Sequence, residues 1–291
     1  MQQISMPFKY RAMVPLFLFL MVFSIYAIIQ LVQMGVSEVS FSGSQVTRTF
    51  VGLKHARTAI ADPVVGIALR NTFIYVAVVV IVEGILGTAL ALMIGSLRKT
   101  TVLAKTLLLF PILIPPIAIG SMWRLMYDYN FGLFNMILSL VGVQGPTWNA
   151  DPNLALLTII IVDIWHWTSF VFLIVYAGLE SLPHELFEVA KVDGASSRQI
   201  RRHVILPLLR PSIGTALMLR MIFAFKVFDQ VYLLTNGGPG TATEVLNLYI
   251  YKVYFVQNRI GYGSFLTILL SVIVLSIIIV YRAVLARLNR E

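Results

Sequence analysis

The sequence of 291 residues contains no cysteine and few charged side chains. Without cysteine, the chain has neither a disulfide framework nor a thiolate metal site. Charged residues make up 12% of the chain and hydrophobic residues 58%, whereas soluble domains carry about 25% charged residues. Because so little charge cannot cover a water-soluble globule, we expect lipid to be the solvent for much of this chain.

Signatures of nucleotide and metal chemistry are also missing. The sequence has no G-x-x-x-x-G-K-[ST] motif, and the glycine cluster at 237–240 lacks the lysine of that motif, which indicates an external turn. His166 has no second His or Cys at helical spacing, so we expect no metal site. The net charge of +9 is compatible with nucleic-acid binding. In a membrane protein it indicates basic cytoplasmic loops instead, and we expect no nucleic-acid partner.

What the sequence does contain is a series of long apolar segments. A helix needs about 20 apolar residues to cross the hydrocarbon core. The first segment is too long for the apolar region of a signal peptide and has no small-residue cleavage site. We therefore predict an all-α integral membrane protein with six transmembrane helices. The predicted spans are 12–33, 71–94, 103–127, 154–179, 211–235 and 264–284.

The distribution of Lys and Arg predicts the orientation of these helices. Basic residues are more frequent in the segments 9–11, 98–105, 191–210 and 282–290 than in the alternating segments between them. Cytoplasmic segments collect Lys and Arg, so both termini are predicted to be cytoplasmic. The predicted organisation is a first helix and external loop over 1–70, followed by a five-helix core over 71–291. A short helix is expected near 50–60, and the prolines at 111, 115 and 116 are expected to kink the third span.

The predicted cytoplasmic loop at 181–210, between helices 4 and 5, has the pattern of a helix-turn-helix. Pro183 suits the first turn of a helix, and Leu186, Val189 and Ala190 fall on one apolar face. Gly194 can adopt the left-handed conformation that ends a helix, and the second helix is expected to stop before Pro207. The apolar face needs a surface to pack on. Its own helices, the lipid surface and a partner protein are all compatible with the pattern.

The spacing of this loop resembles a known motif. Glu188, Val189 and Ala190 are followed after three residues by Gly194, and after nine more by Val204-Ile205-Leu206-Pro207. This closely resembles the EAA loop of bacterial ABC importer permeases, with Val at two positions where the family usually has Ala and Ile. A second segment, Leu234 to Gly240 (Leu-Thr-Asn-Gly-Gly-Pro-Gly), is similar to the outer loop of the carbohydrate branch, which includes maltose and glycerol-3-phosphate permeases. The resemblance extends from about residue 71 to the C-terminus.

The resemblance implies a non-catalytic transport subunit in the bacterial plasma (inner) membrane. Its implied partners are a second homologous permease, two ATPase subunits that dock at the EAA loop, an extracytoplasmic solute-binding protein and membrane lipid. The chain itself is expected to hold no cofactor, since ATP and Mg would bind to the partner ATPase. The coupling residues implied in this way are Glu185, Glu188, Ala190, Asp193, Gly194 and Ala195.

Charged and aromatic residues inside the predicted spans indicate a solute site. Charges inside a bilayer are costly and are functional candidates by default. Asp163, Lys226 and Asp229 lie roughly 9–13 Å from the outer ends of their spans, and carboxylates and aromatic rings are groups that suit a sugar. The resemblance to maltose permeases places sugar contacts at the same positions. The predicted solute-contact residues are Asp163, His166, Trp167, Phe170, Phe225, Lys226 and Asp229.

Structural roles are open for the same residues. Lys226 and Asp229 are three apart and can neutralise each other, or Lys226 can pair with Asp163. Phe223 and Phe225 do not share a helix face, so only one of them is expected to line a pore. Glu83 is expected to make a buried polar contact between subunits.

Three other functions are weighed against a sugar importer. An anionic phosphoester such as glycerol-3-phosphate would use Arg220 and Lys226 as partners. An ion-coupled secondary transporter would show inverted repeats and broken helices, and neither is visible in the sequence. A membrane-embedded enzyme would need clustered catalytic groups, and the sequence shows no nucleophile or metal constellation.

Overall fold

The computed structural model describes residues 6–42, 45–95, 102–183 and 185–288. The chain forms two compact units, Met1–Asp62 with Ile250–Val272, and Pro63–Tyr249 with Ile273–Glu291. The described elements are α1 (Met6–Gly35), β1 (Ser37–Ser42), β2 (Gln45–Phe50), α2 (Lys54–Ala61), α3 (Pro63–Gly95), α4 (Val102–Leu109), a 3-10 turn (Pro111–Leu113), α5 (Pro116–Met126), α6 (Leu133–Leu140), α7 (Ala155–Glu180), α8 (Glu185–Val192), α9 (Ser197–Ile200), a π-helical turn (Arg201–Ile205), α10 (Leu206–Phe225), α11 (Asp229–Leu234), α12 (Leu246–Tyr251), a second π-helical turn (Lys252–Val256) and α13 (Ile260–Leu288).

Within the described ranges, five helical stretches are long and apolar enough to cross a membrane. They overlap the first, second, fourth, fifth and sixth predicted spans. The predicted boundary between residues 70 and 71 falls inside one of them, α3. The five stretches are Met13–Gly35, Pro63–Gly95, Ala155–Glu180, Ser197–Phe225 and Ile260–Arg287.

The third predicted span is not one helix. It consists of α4, the 3-10 turn and α5, and the backbone is extended at Ile114 and Pro115. Proline has no amide hydrogen and forces the preceding residue out of the helical region. Pro115 and Pro116 therefore break the helix that the sequence pattern predicted only to be kinked.

The fifth predicted span also differs from the expectation of a single helix over 211–235. The second helix of the 181–210 loop does not stop before Pro207 but runs through the π-helical turn into α10, where Pro207 occupies the first turn. The π-helical turn lies directly before Pro207, where the proline removes an amide hydrogen from the continuous helix. At the other end, α10 stops at Phe225, and α11 begins only at Asp229.

The first unit contains a β-hairpin, so the prediction of an all-α chain was wrong for this segment. β1 and β2 pair antiparallel with Ser37 opposite Phe50, as their alternating, β-branched pattern allows. The short helix predicted near 50–60 is present as α2. The buried His55 ring lies 3.1 Å from the Ser37 carbonyl oxygen through its Nε2, and this contact ties α2 to the hairpin.

The second unit is built on close packing of α3, α7 and α10. A Cβ atom on Gly87 of α3 would lie 2.7 Å from the Val171 side chain of α7, so a residue without a side chain lets the two helices approach, as is usual between membrane helices. The buried core of these helices consists of Ala91, Ile94, Val171, Phe172, Val175, Leu209 and Ala216.

Some features that support the predicted orientation fall outside the described residues. Arg98, Lys99 and Arg290 lie in the ranges 96–101 and 289–291, which the structure does not describe. The cytoplasmic location of the two termini and of the 181–210 loop therefore stays a prediction.

Candidate functional site: a buried ion triad, an adjoining cavity and the 181–210 loop

Three helices of the second unit each place one charged side chain in the interior. Glu83 comes from α3, Asp163 from α7 and Arg220 from α10, and their exposed fractions are 0%, 1% and 1%. Arg220 Nη2 donates to Glu83 Oε1 at 3.1 Å, Arg220 Nε donates to Glu83 Oε2, and Arg220 Nη2 also donates to Asp163 Oδ2. Buried charges persist only when they are paired and hydrogen-bonded. This triad therefore links the three packed helices.

The triad changes the partners that the sequence suggested for these residues. Asp163 pairs with Arg220 and not with Lys226. Glu83 finds its partner within its own chain, so the expected contact between subunits is not needed to explain its charge. Lys226 and Asp229 are both described and form no ion pair with each other, so the structure does not show the mutual neutralisation that the sequence left open.

A small cavity adjoins the triad. Its volume is about 90 Å³, well below the ~300–1,000 Å³ of typical ligand pockets, so this conformation holds no room for a sugar ring. Asp163 and Arg220 of the triad line the cavity, whereas Glu83 does not. The lining residues are Tyr75, Pro116, Asp163, His166, Trp167, Arg220, Phe223, Lys226, Val227, Phe228, Asp229 and Gln230.

Five of the seven predicted solute-contact residues line this cavity, and the two that do not are Phe170 and Phe225. The Trp167 ring stacks on Phe223, with centroids 5.2 Å apart and planes at 26°, and Phe170 meets both rings edge-on. Phe225 is 2% exposed and packs against Phe73. The structure thus gives Phe223 the place that the prediction gave to Phe225.

The break between α10 and α11 carries the two remaining predicted charges. Lys226 caps the end of α10 and Asp229 begins α11, and both side chains are exposed and line the cavity. The Lys226 carbonyl oxygen accepts a hydrogen bond from Asn247 Nδ2 at 3.1 Å, which stabilises the non-helical backbone. Such broken helices line the binding sites of many transporters.

Gln230 is a cavity residue that the sequence analysis missed. It is 4% exposed, its Nε2 lies 3.4 Å from His166 Nδ1, and its Oε1 has no hydrogen-bond partner among the described residues. The position of the helix break would have pointed to Gln230, since it lies in the first turn after the break. In the single helix predicted over 211–235, nothing marks Gln230 out from the residues around it.

The predicted helix-turn-helix is present in the 181–210 loop. α8 ends in a Schellman motif, in which Ala195 N donates to Ala190 O and Gly194 N to Lys191 O, each at 3.0 Å. Gly194 has a φ of +77°, as the sequence predicted. Ser196 then starts α9 with a capping box that includes Gln199. Local backbone hydrogen bonds therefore build this elbow.

No residue of α8 is buried against the described chain. Glu185, Glu188 and Asp193 are exposed, and the apolar side chains of Leu186 and Val189 are 40% and 59% exposed. The structure therefore does not bury Leu186 and Val189 on the chain's own helices, which was one of the alternatives for the apolar face. Ala190 of the same face is half-buried, and the Leu186 and Val189 side chains are open to lipid or another protein.

Comparison with known proteins places this architecture among transport components. Residues 84–290 match the family described as "Binding-protein-dependent transport system inner membrane component". The trehalose/maltose transport system permease protein MalF of Thermococcus litoralis is 38% identical over 244 residues, which cover 84% of this chain and 82% of the relative. The sulfoquinovosyl glycerol transport system permease protein SmoG of Agrobacterium fabrum is 32% identical over 259 residues, 88% of this chain and 83% of that protein.

A solved structure shares the fold. A chain of a bacterial alginate ABC transporter, crystallised in complex with an alginate pentasaccharide-bound periplasmic protein, superimposes with a TM-score of 0.86. The match covers 97% of this chain and 95% of that one at 21% sequence identity. At this identity the likeness supports the fold.

Proposed function

Because this chain belongs to the family of binding-protein-dependent transport system inner membrane components, we propose that it is the permease subunit of an ATP-driven importer for a carbohydrate or polyol. The names of two relatives refer to permeases for sugar-type solutes, trehalose/maltose and sulfoquinovosyl glycerol. In this proposal the chain lies in the cytoplasmic membrane, with both termini inside, and α4 and α5 together form a sixth crossing. A broken crossing is compatible with a membrane where protein covers the break.

The observation that carries the solute assignment is the cavity beside the triad. It combines the stacked rings of Trp167 and Phe223 with the polar groups of Asp229 and Gln230. Aromatic faces and a few placed hydrogen-bonding groups are what a sugar needs. Because the cavity is only about 90 Å³, passage of a solute requires these helices to separate, which we assign to the transport cycle.

The charge arrangement favours a neutral solute over an anionic phosphoester. Arg220 was one of the two cations expected to hold a phosphate, yet it is 1% exposed and already bound to two carboxylates. Lys226 faces the cavity together with Asp229. A phosphate would therefore meet two carboxylates, Asp163 and Asp229, and only Lys226 as a cation that no described carboxylate already binds.

The 181–210 loop is proposed to dock the ATPase. The exposed apolar face of α8 is free for a partner, and α9, the π-helical turn and α10 form a continuous helical path from this loop to Arg220 and the cavity. Movement of a docked ATPase can reach the cavity along this path. ATP and Mg would bind to the two ATPase subunits, while a second permease and an extracytoplasmic binding protein complete the assembly.

Uptake in proteoliposomes tests the proposal. The chain is reconstituted with its second permease, ATPase and binding protein, and uptake of maltose, trehalose and glycerol-3-phosphate is measured. We expect sugar uptake that stops with a hydrolysis-deficient ATPase and persists when ion gradients are collapsed. The structure contains broken helices, so that feature does not distinguish an ATP-driven importer from an ion-coupled secondary transporter. Uptake that continues without hydrolysis but stops without an ion gradient would establish the secondary-transporter alternative.

The docking role of the loop predicts the effect of Gly194→Val. Valine at a φ of +77° costs about 1–2 kcal/mol of local stability, so the elbow should distort and transport should fall while membrane insertion persists. Gly142→Val is the matched control, since Gly142 has a φ of +74° and equally open surroundings but lies after α6. Equal transport by the two variants would contradict the docking role.

A further inference from the structure

Arg220 contacts both the buried carboxylates and the aromatic wall of the cavity. Its guanidinium is bound to Glu83 and Asp163, and its Cζ lies 5.0 Å from the centre of the Trp167 ring. We infer that Arg220 is a positioning residue that holds Trp167 in place as the wall of the solute cavity. The inference rests on the proposed function for its effect on transport, but not for its effect on Trp167.

The planar guanidinium is suited to this role. Glu83 on α3 and Asp163 on α7 bind it through two nitrogens, Nε and Nη2. Two such anchors on different helices fix the plane of the group, because arginine donates in a rigid fork. A fixed cationic plane then offers a defined surface to the face of an indole ring.

Trp167 contacts two side chains from one face of α10. Arg220 and Phe223 are three residues apart, so both point to the same side of the helix. The ring lies near the Arg220 guanidinium and stacks on Phe223, 5.2 Å away. Loss of the Arg220 plane should therefore let the indole turn, although Phe223 still packs against it.

Lysine at position 220 separates this positioning role from simple charge balance. Arg220→Lys keeps one positive charge between the carboxylates, but a single ammonium group cannot reproduce the fork or the plane. A residue that only neutralised Glu83 and Asp163 would tolerate this change. A positioning residue would not, and the change should appear at Trp167.

The test uses the full transporter in lipid nanodiscs, labelled with 5-fluorotryptophan. The chain has four tryptophans, and Trp167→Phe identifies the fluorine signal of Trp167. In Arg220→Lys we expect that signal to move by more than its linewidth, while the signals of Trp123, Trp148 and Trp165 stay. Arg282→Lys, at an exposed position of α13, is the matched control. An unmoved Trp167 signal in Arg220→Lys overturns the inference.

Transport supplies the second readout. In proteoliposomes, maltose moved per ATP hydrolysed should fall about fivefold in Arg220→Lys, the factor that corresponds to one cation–π contact. A moved Trp167 signal with unchanged maltose per ATP supports the positioning role and contradicts the cavity as the solute path. The two proposals therefore fail in different ways.

A second variant covers the case in which Arg220→Lys does not assemble. Glu83→Gln leaves a neutral pair of Arg220 and Asp163 but weakens the hydrogen bonds that position 83 accepts from the Arg220 guanidinium. We expect the Trp167 fluorine signal to broaden in this variant, and maltose per ATP to fall by no more than about twofold, less than in Arg220→Lys. A Trp167 signal as sharp as in the wild type would overturn the inference.

Discussion

Arg220→Met is expected to prevent the chain from assembling into a stable transporter. The change leaves Glu83 and Asp163, which are 0% and 1% exposed, without a cation. Removal of one partner from a buried ion pair costs about 3–5 kcal/mol, a large part of the ~5–15 kcal/mol by which proteins are stable. The measurement is the yield of monodisperse complex after detergent extraction, together with its thermal unfolding.

Two controls show whether the effect comes from charge. Arg124→Met removes an arginine from an exposed position of α5 and should assemble normally. The triple variant Arg220→Met, Glu83→Gln, Asp163→Asn removes all three charges, and uncharged replacements of buried ion pairs are often well tolerated. It should recover much of the yield. An Arg220→Met variant that assembles like the wild type would mean that the triad does not stabilise this fold.

Asp163→Asn and Glu83→Gln should differ strongly in transport although both should assemble. Each variant leaves Arg220 with one carboxylate, so each leaves a neutral buried pair. Only Asp163 lines the cavity. If Asp163 also accepts a solute hydroxyl, the lost charge-assisted hydrogen bond is worth about 1.5–3 kcal/mol, and uptake should fall roughly tenfold or more. Uptake by Glu83→Gln should stay within about twofold of the wild type, because Glu83 does not line the cavity and its loss only weakens the hold on the Arg220 guanidinium.

The comparison of initial uptake rates, corrected for the amount of assembled complex, decides the role of Asp163. Equal rates in the two variants would show that Asp163 serves only as a partner of Arg220. Lys226→Met provides a further control. Because Asp163 is bound to Arg220, Lys226→Met should not restore transport to Asp163→Asn, as it would if the two formed the ion pair that the sequence allowed.

The β-hairpin shows why one part of the chain was misread. The segment 36–70 is Ser-rich and mixed in charge, and this composition predicts an external loop with one short helix. The strand pairing of Ser37–Ser42 with Gln45–Phe50 depends on cross-strand hydrogen bonds. The β-branched residues Val46, Thr47 and Thr49 are compatible with a strand, but a strand of six residues is stable only with its partner.

The sequence by itself determined the class of the protein and its local motifs. A charged fraction of 12% requires a lipid environment whatever the helices do. The elbow at Gly194 was also predictable, because a left-handed glycine and the hydrogen bonds from Gly194 and Ala195 act within six residues. Composition and local backbone geometry do not depend on distant parts of the chain.

Only the tertiary structure decided which side chains form the site. Glu83 and Asp163 are 137 and 57 residues from Arg220, so no local pattern could pair them, and Lys226 was an equally good partner for Asp163 until the helices were packed. Whether Phe223 or Phe225 lines the cavity depends on how α10 is rotated against α7. That rotation is set by the close packing of the two helices, in which small residues let the backbones approach. Charge pairing and ring stacking act over a few ångströms in space, and the packing of three helices sets those distances.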